Sequence, residues 1–227
     1  TRSPTVTGVQ TCALPICVLL GGAAGVRRGD VVVLGGGTAG LAAARVSAGM
    51  GADVTVFDVA PARMRHIEEV TGGAIRTRLS TELDVARACA GADLVIGAVL
   101  VPGARTPRLV TREMVRAMRP GSVLVDIAID QGGCFEDSRP TTHSEPTFEV
   151  EGSIFYCVAN MPGAVPHTST YALTNATLTY ALALADDGWR GACRARAELG
   201  RGLSTHDGVL YTEGADQIGR ASCRERV

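Results

Sequence analysis

Residues 30–58, DVVVLGGGTAGLAAARVSAGMGADVTVFD, constrain the fold more than any other stretch of the chain. An apolar run, Val31 to Leu34, enters Gly35-Gly36-Gly37-Thr38-Ala39-Gly40, an alanine-rich helical segment follows, and a second apolar run, Val54 to Phe57, ends on Asp58. This order predicts a βαβ unit with a phosphate-binding turn. Gly35 permits the tight turn, Gly37 lets a pyrophosphate approach the backbone, and Gly40 lets helix and strand pack closely. The N–H groups at the helix start, around Thr38 and Ala39, then face the phosphates at the positive end of the helix dipole.

Asp58 lies 18 residues beyond Gly40, at the expected tip of the second strand. There its carboxylate can accept hydrogen bonds from both ribose hydroxyls and repels a 2′-phosphate, which predicts NAD rather than NADP. Arg63 follows closely enough to meet a phosphate. A glycine-rich turn alone is a weak signal, and the weight here comes from the strand before it, the helix after it and the acidic strand end.

Strand and helix continue to alternate. A helix is expected over Pro61 to Val70, with proline in the tolerated first turn, a short strand over Ala74 to Leu79, and a helix over Thr81 to Cys89 capped by Ser80 or Thr81. DLVIGAVL, Asp93 to Leu100, reads as a strand buried on both faces, as parallel sheets require. A helix near Thr111 to Met118, a turn at Pro120-Gly121, a strand over Ser122 to Ile127, a long polar loop and a last strand over Ser153 to Val158 complete six strands. The expected class is α/β, a Rossmann-type doubly wound parallel sheet.

Ligands of such sheets bind outside the carboxyl ends of the strands. Thr38, Ala39, Asp58, Ser80, Val99, Leu100, Ile127, Ala128, Ile129, Asp130, Val158, Asn160 and Met161 all follow apolar runs and are expected in one crevice. For Ser80 and Val99 an ordinary strand-end loop position is an equal reading. Asp130, a carboxylate beside a nicotinamide, is placed to orient substrate or relay a proton. Asp126 falls inside an apolar run and reads as a buried, hydrogen-bonded structural carboxylate.

Composition narrows the remaining classes. Net charge is −1 with no basic stripe, which argues against nucleic acid, and no apolar run approaches the length needed to span a bilayer. The cysteines and the four histidines are scattered without CxxC or metal spacing, so reduced thiols in a cytoplasm are expected and no metal is. All 22 basic side chains are arginine, so no lysine amine is available to any mechanism within this chain.

The two ends resemble translated sequencing adapter. Ala13 to Ile16 can be encoded by GCTCTTCCGATC, whose reverse complement contains ATCGGAAGAGC, encoding Ile218-Gly219-Arg220 and the start of Ala221. Residues 1–16 and 217–227 are therefore set apart from the fold, two real disordered tails being the alternative.

The runs ADLVIGAVLVPGARTPRLV, GSVLVDIAIDQGGCFEDSRPTTHSEPTF and FYCVANMPGAVPHTSTYALTNAT resemble the alanine dehydrogenase family, and Cys17 to Gly22 resembles that family's approach to its cofactor domain. The resemblance covers essentially all of 17–216. It implies oxidation of L-alanine with NAD and water to pyruvate, ammonia and NADH, in the cytoplasm, by a homo-oligomer, a hexamer in the family. It also implies that Asp130 is the catalytic carboxylate, that Asn160 and Met161 border the reacting centre, and that the strand-end residues named above, with Arg63, contact NAD. His167 departs from the expected lysine or arginine. The family's substrate-binding arginine and lysine and its proton-transferring histidine have no counterpart here. The expected organisation is thus an NAD-binding domain over 17–166, then a linking helix and partial substrate-domain segment over 167–216, with NAD bound but not turned over.

Thr168-Ser169-Thr170 is expected to cap a long helix running to Gly188; whether that helix links domains and packs oligomers or lies on its own domain is open. Trp189 is expected to anchor packing, and His206 to be a packing or surface histidine. A transhydrogenase NAD-binding domain and a non-catalytic dinucleotide-binding module are the alternative functions.

Overall fold

The computed structural model describes residues 18–101 and 106–211; both adapter-like ends lie outside the described residues. Two units are distinguished by their internal contacts, residues 18–100 with 106–161, and residue 101 with 162–211.

The first unit is the α/β sheet. Strands β1 (Asp30–Leu34), β2 (Asp53–Asp58), β3 (Arg76–Leu79), β4 (Leu94–Gly97), β5 (Val123–Asp126), β6 (Thr147–Val150) and β7 (Ser153–Tyr156) lie in the order β3-β2-β1-β4-β5-β7-β6. All pairings are parallel except β6 with β7. The expectation of six parallel strands is corrected here: the polar loop contributes β6, a seventh and antiparallel edge strand. Glu151 and Gly152, with φ of 51° and 78°, make the tight turn that joins it to β7. Phe148 stacks on Phe155 at 5.2 Å, which fixes the register of the pair.

Strand periodicity sorts the apolar residues onto two faces. Val31, Val33, Val54 and Val56 join Ala44 of α1 (Thr38–Gly49) and Ile67 of α2 (Pro61–Thr71) in one cluster. Val32, Leu34, Phe57 and Val95 join Val85 and Cys89 of α3 (Glu82–Gly91), Val115 of α4 (Arg112–Arg116) and the rings of Phe135 and Phe155 in the other. Burying each such large side chain contributes roughly 1.5–3 kcal/mol. Helix ends follow local chemistry. Pro61 occupies the first turn of α2, Gly72 ends it at φ 58°, and the hydroxyls of Thr81 and Thr111 accept from Asp84 N and Met114 N to cap α3 and α4.

At the amino ends of β1 and β4, Asp93 is 4% exposed. It accepts from Arg27 Nη1 and Nη2 at 2.7 and 2.8 Å, from Arg119 Nη1 at 3.3 Å and from Asp30 N at 2.9 Å. This fork pins the segment before β1 to the sheet.

In the second unit α5 (Pro166–Ala195) is longer than expected and is broken at Gly188, whose φ of 65° and ψ of 166° are not helical. The expected hydroxyl cap is not used: Val165 is the N-cap, Pro166 starts the helix, and Ser169 Oγ donates instead to Pro162 O at 2.8 Å. The Trp189 ring meets His206 edge-on at 4.3 Å, so His206 is a packing histidine. Helix α6 (Ala197–Arg201) and the two-residue strands β8 (Thr205–His206) and β9 (Val209–Leu210) follow. No helix among the described residues is long and apolar enough to cross a membrane.

Candidate functional site

The strand order turns back between β1 and β4, and the parallel register brings the carboxyl ends of β1, β2, β4 and β5 to one edge: Leu34 pairs with Phe57 and Gly97, and Gly97 with Asp126. This is the switch point at which doubly wound sheets bind ligands.

The glycine turn fills that point. Gly35 has φ 97°, and a Cβ there would lie 2.8 Å from Ala98 O, so both backbone conformation and contact require glycine. A Cβ at Gly40 would fall 1.8 Å from Gly35 O, which explains the close approach of α1 to the turn. At Gly37 a Cβ would meet nothing within 4 Å. The space above Gly37 is open, as a backbone site for phosphate needs.

The donors at this turn divide between protein acceptors and open space. Gly35 N donates to Phe57 O and Gly36 N to Asp58 Oδ2, while Leu41 N closes the first helical bond on Gly37 O. Among the described residues no acceptor meets the N–H of Gly37, Thr38, Ala39 or Gly40. Helix α1 also lacks a side-chain cap and a first-turn acid, as α2 and α5 do, whereas α3 has Thr81 with Glu82 and Asp84, and α4 has Thr111 with Glu113. Four unsatisfied donors at an uncompensated positive helix end suit an anion.

Asp58 ends β2 beside the turn. Its Oδ2 accepts from Gly36 N at 2.7 Å and its Oδ1 from Ala60 N at 2.8 Å, leaving each oxygen a further lone pair for a vicinal diol. Gly36 was not among the residues expected to matter. A Cβ there would lie 2.7 Å from Ile67 Cδ1 and 3.1 Å from Asp58 Oδ2, a constraint signalled in the sequence only by a third consecutive glycine. Arg63, exposed, lies over the same glycine, its Cγ 3.1 Å from where that Cβ would be. Ser80 joins this group through its backbone, which donates to Asp58 O at 2.9 Å.

On the other side of the switch point, Ile127 N donates to Gly97 O at 2.8 Å, starting the loop that holds Ala128, Ile129 and Asp130. Ala128 and Ile129 are 8% and 5% exposed, and of this run Asp130 is the exposed member. Val99 is half-buried and Leu100 exposed after β4. Val158 is buried and bridges Thr141, so its side chain belongs to the core and only its backbone borders the edge. Asn160 holds a left-handed φ of 58°, and its carbonyl meets His143 Nε2 at 3.1 Å; Met161 starts a 3-10 turn, Met161–Ala164.

Asp126 is the buried structural carboxylate expected. Burial pushes its carboxyl upward, while donors from Ser138 Oγ and the backbone of Cys134, Ala128 and Phe135 pull it back. A separate hollow of about 290 Å³, lined in part by Asp53, Arg76, Arg78 and Arg119, sits on the sheet toward the opposite strand ends.

The family model described as alanine dehydrogenase/PNT, C-terminal domain, matches residues 10–213. Over 196 residues the chain is 63% identical to an alanine dehydrogenase of Mycolicibacterium smegmatis, a match covering 86% of this chain and 53% of that protein. A solved L-alanine dehydrogenase superposes with a TM-score of 0.80 at 46% identity, covering 90% of this chain and 56% of that one. A transhydrogenase structure from Sinorhizobium meliloti gives 0.57 at 32% identity over 64% of this chain and 42% of its own. The chain thus spans about half the length of the curated relatives it matches.

Proposed function

Because the chain belongs to the alanine dehydrogenase/PNT C-terminal domain family, we propose that it is the cofactor-binding part of an NAD-dependent L-alanine dehydrogenase. The observation that carries this reading is the set of four unsatisfied N–H donors at Gly37 to Gly40, flanked by the carboxylate of Asp58. Bound there, NAD would accept the hydride as L-alanine is oxidised and, with water, converted to pyruvate and ammonia.

Within this reading each residue has a task. Gly37 to Gly40 hold the pyrophosphate, and Asp58 holds the adenosine ribose and disfavours a 2′-phosphate. Ser80, Val99 and Leu100 border the adenosine-side and central crevice, and Arg63 lies at its mouth. Ile127 to Asp130, with the Val158 backbone, Asn160 and Met161, border the nicotinamide. Asp130 orients the reacting groups or carries a proton at its carboxylate. The chain alone binds NAD without turnover, since L-alanine and pyruvate are held mainly by residues outside it. The parent enzyme acts in amino-acid catabolism in the cytoplasm as a homo-oligomer, a hexamer. Exposed Leu173, Leu178 and Leu182 on α5 support a packing role for that helix.

A transhydrogenase NAD-binding domain is the second reading, favoured by the shared family and the Sinorhizobium meliloti neighbour. The 63% identity to an alanine dehydrogenase, against 32% to the transhydrogenase, supports the first. Two assays on the purified chain test the proposal. L-alanine-dependent NADH formation is expected to be absent, and a measurable rate would overturn the division of labour. Hydride exchange between NADH and an NADP analogue is also expected to be absent, and its presence would favour the transhydrogenase.

A further inference from the structure

We propose that Asp126 is a positioning residue for the nicotinamide half of the crevice, holding the loop that carries Asp130 without touching the ligand itself. The proposal rests on the dinucleotide reading above.

Asp126 ends β5 and is 0% exposed, and among the described residues no cation pairs with it. A buried carboxylate in that position is costly unless donors surround it. Here the donors come from one loop. Oδ1 accepts from Ala128 N at 3.1 Å, and Oδ2 accepts from Cys134 N at 2.8 Å and from Ser138 Oγ at 2.5 Å. The carboxylate therefore ties residues 128, 134 and 138 to one point. Between the first two ties the chain makes the 3-10 turn Ile129–Gln131 and reverses through Gly132 and Gly133, at φ 98° and 78°. That reversal leaves Asp130 exposed at the strand edge while Ala128 and Ile129 turn inward. Packing is close: a Cβ at Gly133 would lie 2.7 Å from Asp126 Oδ2 and 2.7 Å from Ser138 Cβ.

The same segment is stitched to the end of β7. Cys157 Sγ lies 4.0 Å from Ser138 Oγ, Thr141 N donates to Cys157 O, Ala159 N donates to Thr141 O, and His143 Nε2 meets Asn160 O. The Asp126 anchor thereby fixes both loops expected at the nicotinamide. Sheet order separates them from the adenosine side. Asp58 ends β2, and Asp126 ends β5 three strands away, roughly 14 Å at about 4.8 Å per strand. A dinucleotide laid across the switch point with its adenosine ribose on Asp58 reaches the β5 loop with its other half.

The test compares two ligands on the 227-residue chain: NADH, which spans both halves, and ADP-ribose, which lacks the nicotinamide. Wild type, Asp126→Asn and Ser138→Ala are titrated with each, and hydrogen exchange is followed at the Ala128, Cys134 and Gly36 amides without ligand. Asn keeps one acceptor and turns its NH2 toward groups that must donate. Asp126→Asn is expected to weaken NADH binding about tenfold, the scale of one hydrogen bond to a charged group. ADP-ribose affinity is expected to stay within about twofold, as for sites that share no contacts. Exchange should speed up at Ala128 and Cys134 and not at Gly36. Ser138→Ala should shift NADH affinity and exchange in the same direction by less, and it decides the matter if Asp126→Asn does not fold. Unchanged NADH affinity in folded variants, or parallel loss of both ligands, overturns the positioning role. A wild-type chain that binds neither ligand overturns the dinucleotide reading and this proposal with it.

Discussion

The backbone N–H of Gly36 donates to Asp58 Oδ2 at 2.7 Å, so the carboxylate that ends β2 also closes the glycine turn of β1. One side chain thus serves the turn and, in the proposed reading, receives the adenosine ribose, so its replacement bears on both. Asp58→Ala should weaken NAD binding by about 1.5–3 kcal/mol through loss of charged acceptor bonds. Asp58→Asn keeps an acceptor but removes the charge, and should raise affinity for NADP relative to NAD. Competitive titration of both nucleotides measures this, and an unchanged ratio in Asp58→Asn would contradict the ribose assignment.

Gly37 and Gly40 sit three residues apart and should respond oppositely to the same methyl group. A Cβ at Gly37 meets nothing within 4 Å, so Gly37→Ala should unfold at the wild-type temperature while losing nucleotide binding. A Cβ at Gly40 would sit 1.8 Å from Gly35 O, so Gly40→Ala should lose about 3 kcal/mol or more of stability from overpacking against backbone. Thermal unfolding with and without NAD separates the two outcomes.

Asp93 supplies an acid-sensitive part of the fold. Burial pushes its carboxyl upward, but hydrogen bonds from Arg27 and Asp30 N and the charges of Arg27 and Arg119 outweigh this and hold it below the ordinary range. A depressed folded value means that the unfolded chain binds the proton more readily. The contribution is therefore present above the unfolded value, near pH 3.9, and is lost as pH falls through the lower folded one. Asp93→Asn should lower stability at neutral pH and flatten the acid limb below about pH 4 in a pH series of unfolding temperatures.

Cys89, Cys134 and Cys157 are buried, and burial pushes each thiol up to about 12. Below pH 9 these three should resist alkylation in the folded chain and react only on unfolding, ahead of which the partly exposed Cys193 reacts. Peptide mapping after timed alkylation reads each site separately. Fast native labelling of Cys134 or Cys157 would mean that the loop gathered by Asp126 opens readily.

The parts of this fold readable in the sequence are those set by local pattern. Val31 to Leu34 and Val54 to Phe57 are apolar on both faces, Thr81 and Thr111 sit where a cap belongs, and Gly35 and Gly40 are dictated by a turn whose spacing is fixed. Strand β6 was hidden because Thr147 to Val150 is short, lies on a sheet edge and follows a polar loop, and it is held by Phe148 on Phe155, a contact between strands. The start of α5 was misread because Thr168 to Thr170 offered hydroxyls, while Pro166 two residues earlier already suited a first turn. The link from Gly36 to Asp58 and the bonds from Cys134 and Ser138 to Asp126 join residues 8 to 22 positions apart and depend on tertiary placement; only the bond from Ala128, two residues on, is local. For the candidate site, the strand-end rule found the edge on which the residues lie, but not that Val158 turns its side chain into the core.

Thermal unfolding of the 227-residue chain titrated with NAD, NADH and NADP reads the occupancy of the proposed dinucleotide site. A ligand at one hundred times its dissociation constant stabilises the folded state by about 2.7 kcal/mol, which for a domain of this size raises the unfolding temperature by roughly 5–10 °C. That rise is expected with NAD and NADH, and a much smaller one with NADP at equal concentration. No shift with any of the three would contradict the assignment of the Gly35 to Gly40 turn and Asp58 to a dinucleotide site.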